Sequence, residues 1–282
     1  MTFRARIRKG NPPKEKGELN SRSARISNAM SRLLRPIALL IAFSACAEAQ
    51  QPQAKEVFAR ALHLADLYNW ADAAPAFTEA EQLFVAAGDQ RNALYAKLGR
   101  IRSNIERDQH TLPSISAQLG DALDDDPLLQ NDKELRMFCL IVKGDIDTET
   151  NTGAMRRDWE QVMKLAQDLG DSKWKYRALA QLSMAAFYDA DLETARKNIG
   201  TALAAATTNG DVGGQIRSLT IIAGALLHTK MYEQSLTYVA SANKIAASTP
   251  DTGYQFTAQE MSIEALVGLG ARGSSQISSQ NM

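Results

Sequence analysis

"ADLETARKNIGTA" fills residues 190–202 and "KMYEQSLTYVASA" fills residues 230–242. At a shift of forty, Leu192, Ala195, Ile199 and Ala202 fall on Tyr232, Ser235, Val239 and Ala242. Positions spaced three, seven and ten apart share one face of an α-helix. The same spacing appears upstream at Trp70, Ala73, Phe77 and Ala80, and again at Leu112, Ile115, Leu119 and Ala122. A weaker copy carries Met155, Trp159 and Val162. The large residues Phe77, Leu119, Trp159, Ile199 and Val239 thus recur every forty residues or so.

Gly-Asp punctuates this series. Gly88, Gly170, Gly210 and Pro250 each stand eleven residues beyond a large residue, and each is followed by Asp. Glycine can end a helix in the left-handed conformation, proline breaks one, and the aspartate caps the next. "ATTNGDVGGQIRSL" (206–219) is therefore a stop and a restart; no Lys-Ser/Thr follows its glycines, as a phosphate loop needs. Gly120 and Gly144 fall off the grid and mark helix surface or other turns.

A first helix precedes each of these second helices. Leu219, Ile222, Ala223 and Leu226 form an apolar face, matched forty residues earlier by Leu179, Leu182, Ser183 and Ala186. Small residues at Ser183, Ala195, Ala223 and Ser235 allow close helix approach. The third copy is expected to carry a loop, "GDIDTETNTGA" (144–154), and its first helix to start a turn early. One helical hairpin buries little apolar surface, whereas stacked hairpins share a core. The expected fold is all-α: a right-handed α-solenoid of about five antiparallel helix pairs over residues 50–270, with a lone helix at its end and a disordered tail at 271–282.

"NWADAAPAFTEA", "YDADLETARKNIGTAL" and "TKMYEQSLTYVASA" resemble the second helix of the tetratricopeptide repeat family, over about residues 53–269. The period is longer than the usual 34; such forty-residue versions occur in bacterial regulators and in extracytoplasmic parts of signalling proteins. The resemblance implies a concave groove, lined by first helices, that grips a protein or peptide. On that frame Arg177 and Arg217 are equivalent groove positions, Tyr188 and His228 a second equivalent pair, and Lys97 lies eighty before Arg177. Stacked guanidinium groups would favour an acidic partner; a solvated face with local ion pairs is the plainer account.

The front of the chain reads as targeting. Residues 1–29 are basic, either a disordered leader or an over-long gene start. Residues 30–49 carry Arg32, Arg35 and an apolar run from Ile37 to Ala47, the form of a signal peptide. Cleavage is expected before Gln50; acylation at Cys46, in a lipobox-like "FSAC", ranks second. The chain is thus expected to be exported to a bacterial periplasm or outer membrane. Membrane contact would come only through the signal peptide or a lipid anchor.

Residues 1–35 carry a net charge of +8, so the remainder carries −8, which argues against nucleic-acid binding. Cys139, at helical spacing with Leu135, Phe138 and Val142, reads as a small buried residue. His63, His110 and His228 are scattered. Asp124, Asp125 and Asp126 read as a solvated loop before a helix, and Asp145–Glu149 lacks the glycine and glutamate a calcium loop needs. No catalytic constellation, metal site or cofactor motif emerges. Residues 254–270 read as a first helix with no second, and the chain is expected to be a piece of a longer protein.

Overall fold

A computed structural model describes residues 51–280. They form helices α1 (51–66), α2 (Trp70–Ala86), α3 (Gln90–Arg102), α4 (Leu112–Asp125), α5 (Pro127–Asn131) and α6 (Lys133–Thr150). Then follow α7 (Thr152–Leu169), α8 (Ser172–Tyr188), α9 (Leu192–Thr208), α10 (Val212–His228), α11 (Tyr232–Ala247) and α12 (Gln255–Gln280). The described residues contain no strand. The fold is all-α and solenoid-like, with successive helices packed in adjacent pairs. The signal-peptide and lipidation readings, including Cys46, lie outside the described residues.

The turns explain the regularity. At Gly88, Gly170 and Gly210 the chain enters the left-handed region. The next residue's N–H then bonds back to a carbonyl of the finished helix: Asp89 to Phe84, Asp171 to Ala166 and Asp211 to Ala206. Each of these aspartates caps the following helix, accepting from the N–H groups of Asn92, Trp174 and Gly214. The turns inside the hairpins repeat this geometry without glycine, at Tyr68, Ala190 and Lys230. At the last predicted stop, Asp251 rather than Pro250 takes the positive φ.

The repeated apolar positions fill the layers between helices. Phe77, Leu119, Trp159 and Val239 are buried, and Ile199 is half-buried. Ala195 and Ser235 are buried, and the Ser235 hydroxyl donates to the Ala223 carbonyl at 3.0 Å, joining α11 to α10. The upstream end is aromatic: Phe58 packs on Phe77, Phe84 and Tyr95, and Tyr95 stacks on Phe138 at 4.3 Å. Cys139 is fully buried and unpaired, and burial pushes its thiol up to about 12.

Three features depart from the sequence reading. The segment expected as a loop, 144–154, is mostly helix: α6 runs to Thr150 and Asn151 alone links it to α7. Gly144 sits inside α6 because a Cβ there would meet the Trp159 indole nitrogen at 2.9 Å; it is a packing glycine, not a turn. In the second copy α4 rests on α6, after a long connection from α3, and Asp126 caps the additional short helix α5. Finally α12 continues to Gln280, through residues expected as a tail.

Candidate functional site

The turn between α1 and α2 reaches across the described residues to the helix starts of α8 and α10. Arg177 at the start of α8 is buried. Its Nε and Nη2 donate to the two Asp211 oxygens at 2.9 and 2.5 Å, and Nη1 donates to Asp66 Oδ1 at 3.2 Å. Lys173 also pairs with Asp66. Gly213 passes so close that a Cβ would lie 2.0 Å from the Asp66 carbonyl oxygen. The link between α11 and α12 closes the same contact, with Gly253 N–H donating to the Leu67 carbonyl at 3.3 Å.

Aromatic rings and guanidinium groups alternate around this junction. The Arg102 Cζ lies 5.0 Å from the Trp70 ring and 5.3 Å from the Trp174 ring. The Arg177 Cζ lies 5.3 Å from Trp174 and 5.8 Å from Tyr68, and Tyr68 meets Trp70 edge-on at 5.5 Å. The five side chains form a closed ring in which each cation faces π-systems on two sides. Arg102 is anchored by Asp145 at 2.6 Å. Burial pushes the Asp211 carboxyl up, but Arg177 and the Gly214 N–H outweigh it and hold it below the usual carboxylate range.

This corrects the role expected of Arg177. It is not a groove cation awaiting a partner, since the chain's own Asp66 and Asp211 occupy its donors. Lys97 stands exposed on α3, away from the cavity between α8, α9, α10 and α12 and not among its lining residues. The other three candidates come together. Arg217, Tyr188 and His228 line one cavity of about 580 Å³ between α8, α9, α10 and the start of α12. Its walls include Met184, Phe187, Ile199, Ile221 and Met261. Tyr188, Leu192 and Met231 stand exposed on its lining, and Phe187 meets His228 edge-on at 5.7 Å.

Arg217 differs from its equivalent forty residues earlier. Its Nε is buried with no acceptor, and Nη2 reaches only Gln181 Oε1 at 3.3 Å. Burial opposes its charge; Tyr254, Tyr68, Asp145 and Glu149 outweigh that and keep the guanidinium protonated. Among the described residues no carboxylate lies within ion-pair distance of it. No Asp or Glu lines the cavity, whereas Arg196 and Arg217 both do.

Sequence reasoning missed Asp66, Tyr68, Trp70, Arg102, Trp174 and Asp211 as one constellation. Asp211 carried a local signal as a cap and Trp70 one as an apolar repeat position; the other four carried none. Asp124 and Asp125 end α4, and among the described residues no three His, Cys, Asp or Glu side chains gather as a metal site would require. No described helix is long and apolar enough to cross a membrane. No protein-family model matches the chain, and no curated protein matches it.

Proposed function

We propose that this chain is a non-catalytic, exported interaction scaffold of tetratricopeptide-like repeats. It binds a protein or peptide across the mouth of the α8–α9–α10–α12 cavity. The observation that carries this reading is the rim: Tyr188, Leu192 and Met231 are exposed by 51%, 57% and 42% around one concavity. Isolated exposed apolar residues are ordinary, but several around one opening mark an interaction surface. Arg196 on the same lining, which carries no Asp or Glu, favours an acidic partner.

Tyr188→Glu with Leu192→Glu tests the reading. Both side chains are exposed, so the helices should persist by circular dichroism while capture of a periplasmic partner is lost. Equal capture by the variant and the parent chain would remove the rim from consideration. Mass spectrometry of the mature N-terminus tests export; it should begin at Gln50 or, if lipidated, at an acylated Cys46.

Ile263, Leu266 and Val267, exposed on α12, favour a second reading. In it the repeats sense a signal or recruit substrate for a larger signalling protein or protease. Reading the DNA beyond codon 282 in all frames distinguishes the two: an effector domain supports the second reading, and a clean stop supports the first.

A further inference from the structure

We propose that the inner part of the α8–α9–α10–α12 cavity binds a small apolar acid, with its carboxylate on the Arg217 guanidinium. This goes beyond the scaffold reading, because the ligand lies beneath the rim that would meet a protein partner.

Three arginines make the contrast: Arg102 and Arg177 are buried, and Arg217 is half-buried with its Nε enclosed. Arg102 pairs with Asp145, and Arg177 pairs with Asp66 and Asp211. Arg217 has neither, although Arg177 is its equivalent one repeat earlier. An enclosed polar N–H without an acceptor is costly, so buried donors are normally satisfied. Asp145, paired with Arg102, and Glu149 border Arg217 in a separate hollow without coming within ion-pair distance of it, and the α8–α9–α10–α12 lining supplies no acid. What Arg217 lacks is an acceptor for its Nε, and a ligand carboxylate in the cavity would supply it.

The remaining lining fixes the ligand's body and charge. Met184, Phe187, Ile199, Ile221 and Met261 offer apolar, adaptable walls, two of them thioethers. The volume of about 580 Å³ falls within the ~300–1,000 Å³ typical of small-molecule sites. One guanidinium with an unsatisfied Nε suits one carboxylate. The Ser183 and Thr220 hydroxyls already donate to the carbonyls of Ala180 and Arg217, leaving few donors for a phosphate dianion.

Decanoate is a direct probe, titrated by calorimetry into the full chain. We expect one molecule bound per chain, with decanol weaker by about tenfold or more because it cannot use the charge. Arg217→Gln should weaken decanoate binding by a similar factor. Gly224→Leu should abolish it: Gly224 lines the cavity, an added Cβ there is in ordinary contact with the Met261 methyl at 3.7 Å, and circular dichroism checks that the helices persist. If Arg217→Gln fails to fold, the decanol comparison and Gly224→Leu still decide. Absence of decanoate binding, equal binding of decanol, or unchanged binding by a folded Arg217→Gln or Gly224→Leu variant would overturn the proposal.

Discussion

Arg177 and Asp66 are 111 positions apart in the chain and 3.2 Å apart in the structure. Through this pair the first helical hairpin is tied to the start of the fourth, and Asp211 ties both to the fifth. The two aspartates are not equivalent. Asp211 is largely buried and bidentate, whereas Asp66 is 40% exposed and shared with Lys173. Arg177→Ala should therefore cost about 3 kcal/mol, because it strands a buried carboxylate and removes a stacked cation. Asp66→Ala should cost about 1 kcal/mol, as a partly exposed pair does. Urea unfolding of both single variants and the double variant measures the coupling; strict additivity would count against the tie.

Ala190 holds a positive φ of 60° at the α8–α9 turn, where Gly170 and Gly210 hold 70° and 66° between hairpins. An alanine in that region is strained by about 1 kcal/mol. Ala190→Gly should raise stability by that order, against the usual destabilising effect of glycine. A lower melting temperature for the variant would mean that the turn differs from its neighbours.

Met231 starts α11 without a side-chain cap, while Asp191 caps the equivalent helix α9 through the Thr194 N–H. Met231→Asp should supply the missing acceptor and stabilise by about 1 kcal/mol. Met231 also lines the proposed partner site, so the same substitution should weaken partner capture. A gain in unfolding midpoint with reduced capture is the expected combination.

Asp147 and Asp158 share Lys143, whose Nζ donates to them at 2.6 and 2.9 Å, and the Ser116 hydroxyl donates to Asp147 at 2.6 Å. Burial pushes the Asp158 carboxyl up to about 6, with Lys143 pulling the other way, while Lys143 and Ser116 hold Asp147 below its usual range. The native state thus keeps a proton on Asp158 that the unfolded chain releases near pH ~4. Stability from this group falls as pH rises from about 4 to about 6. Asp158→Asn mimics the protonated form, so its stability relative to the parent should rise between pH 4.5 and pH 7.5. A difference that does not change with pH would contradict the shift.

Local chemistry was legible in the sequence, and long-range chemistry was not. Gly88, Gly170 and Gly210 with their aspartates lie within a few residues of everything they bond, so their spacing announced the hairpin boundaries. Gly144-Asp145 has the same letters and a different role, because Trp159 sits against Gly144 and Arg102 against Asp145. No period links Asp66 to Arg177, so a repeat reading could place Arg177 on the inner face but not see that the chain's own turn fills the space before it. Tyr188 and His228, equivalent positions on neighbouring helices, border the same cavity, whereas Arg217 borders it and its equivalent Arg177 does not.

The central structural claim is that the turn of the first hairpin meets the connection before α12. His63 and Asp251 mark that meeting from the outside, with Nε2 and Oδ2 3.6 Å apart and both side chains exposed. In a Cys46→Ser background, with Cys139 buried, His63→Cys and Asp251→Cys can be joined by a short bifunctional thiol reagent. The account predicts efficient intramolecular crosslinking in buffer and its loss in urea; no crosslink in the folded protein, or the same yield in urea, would contradict it.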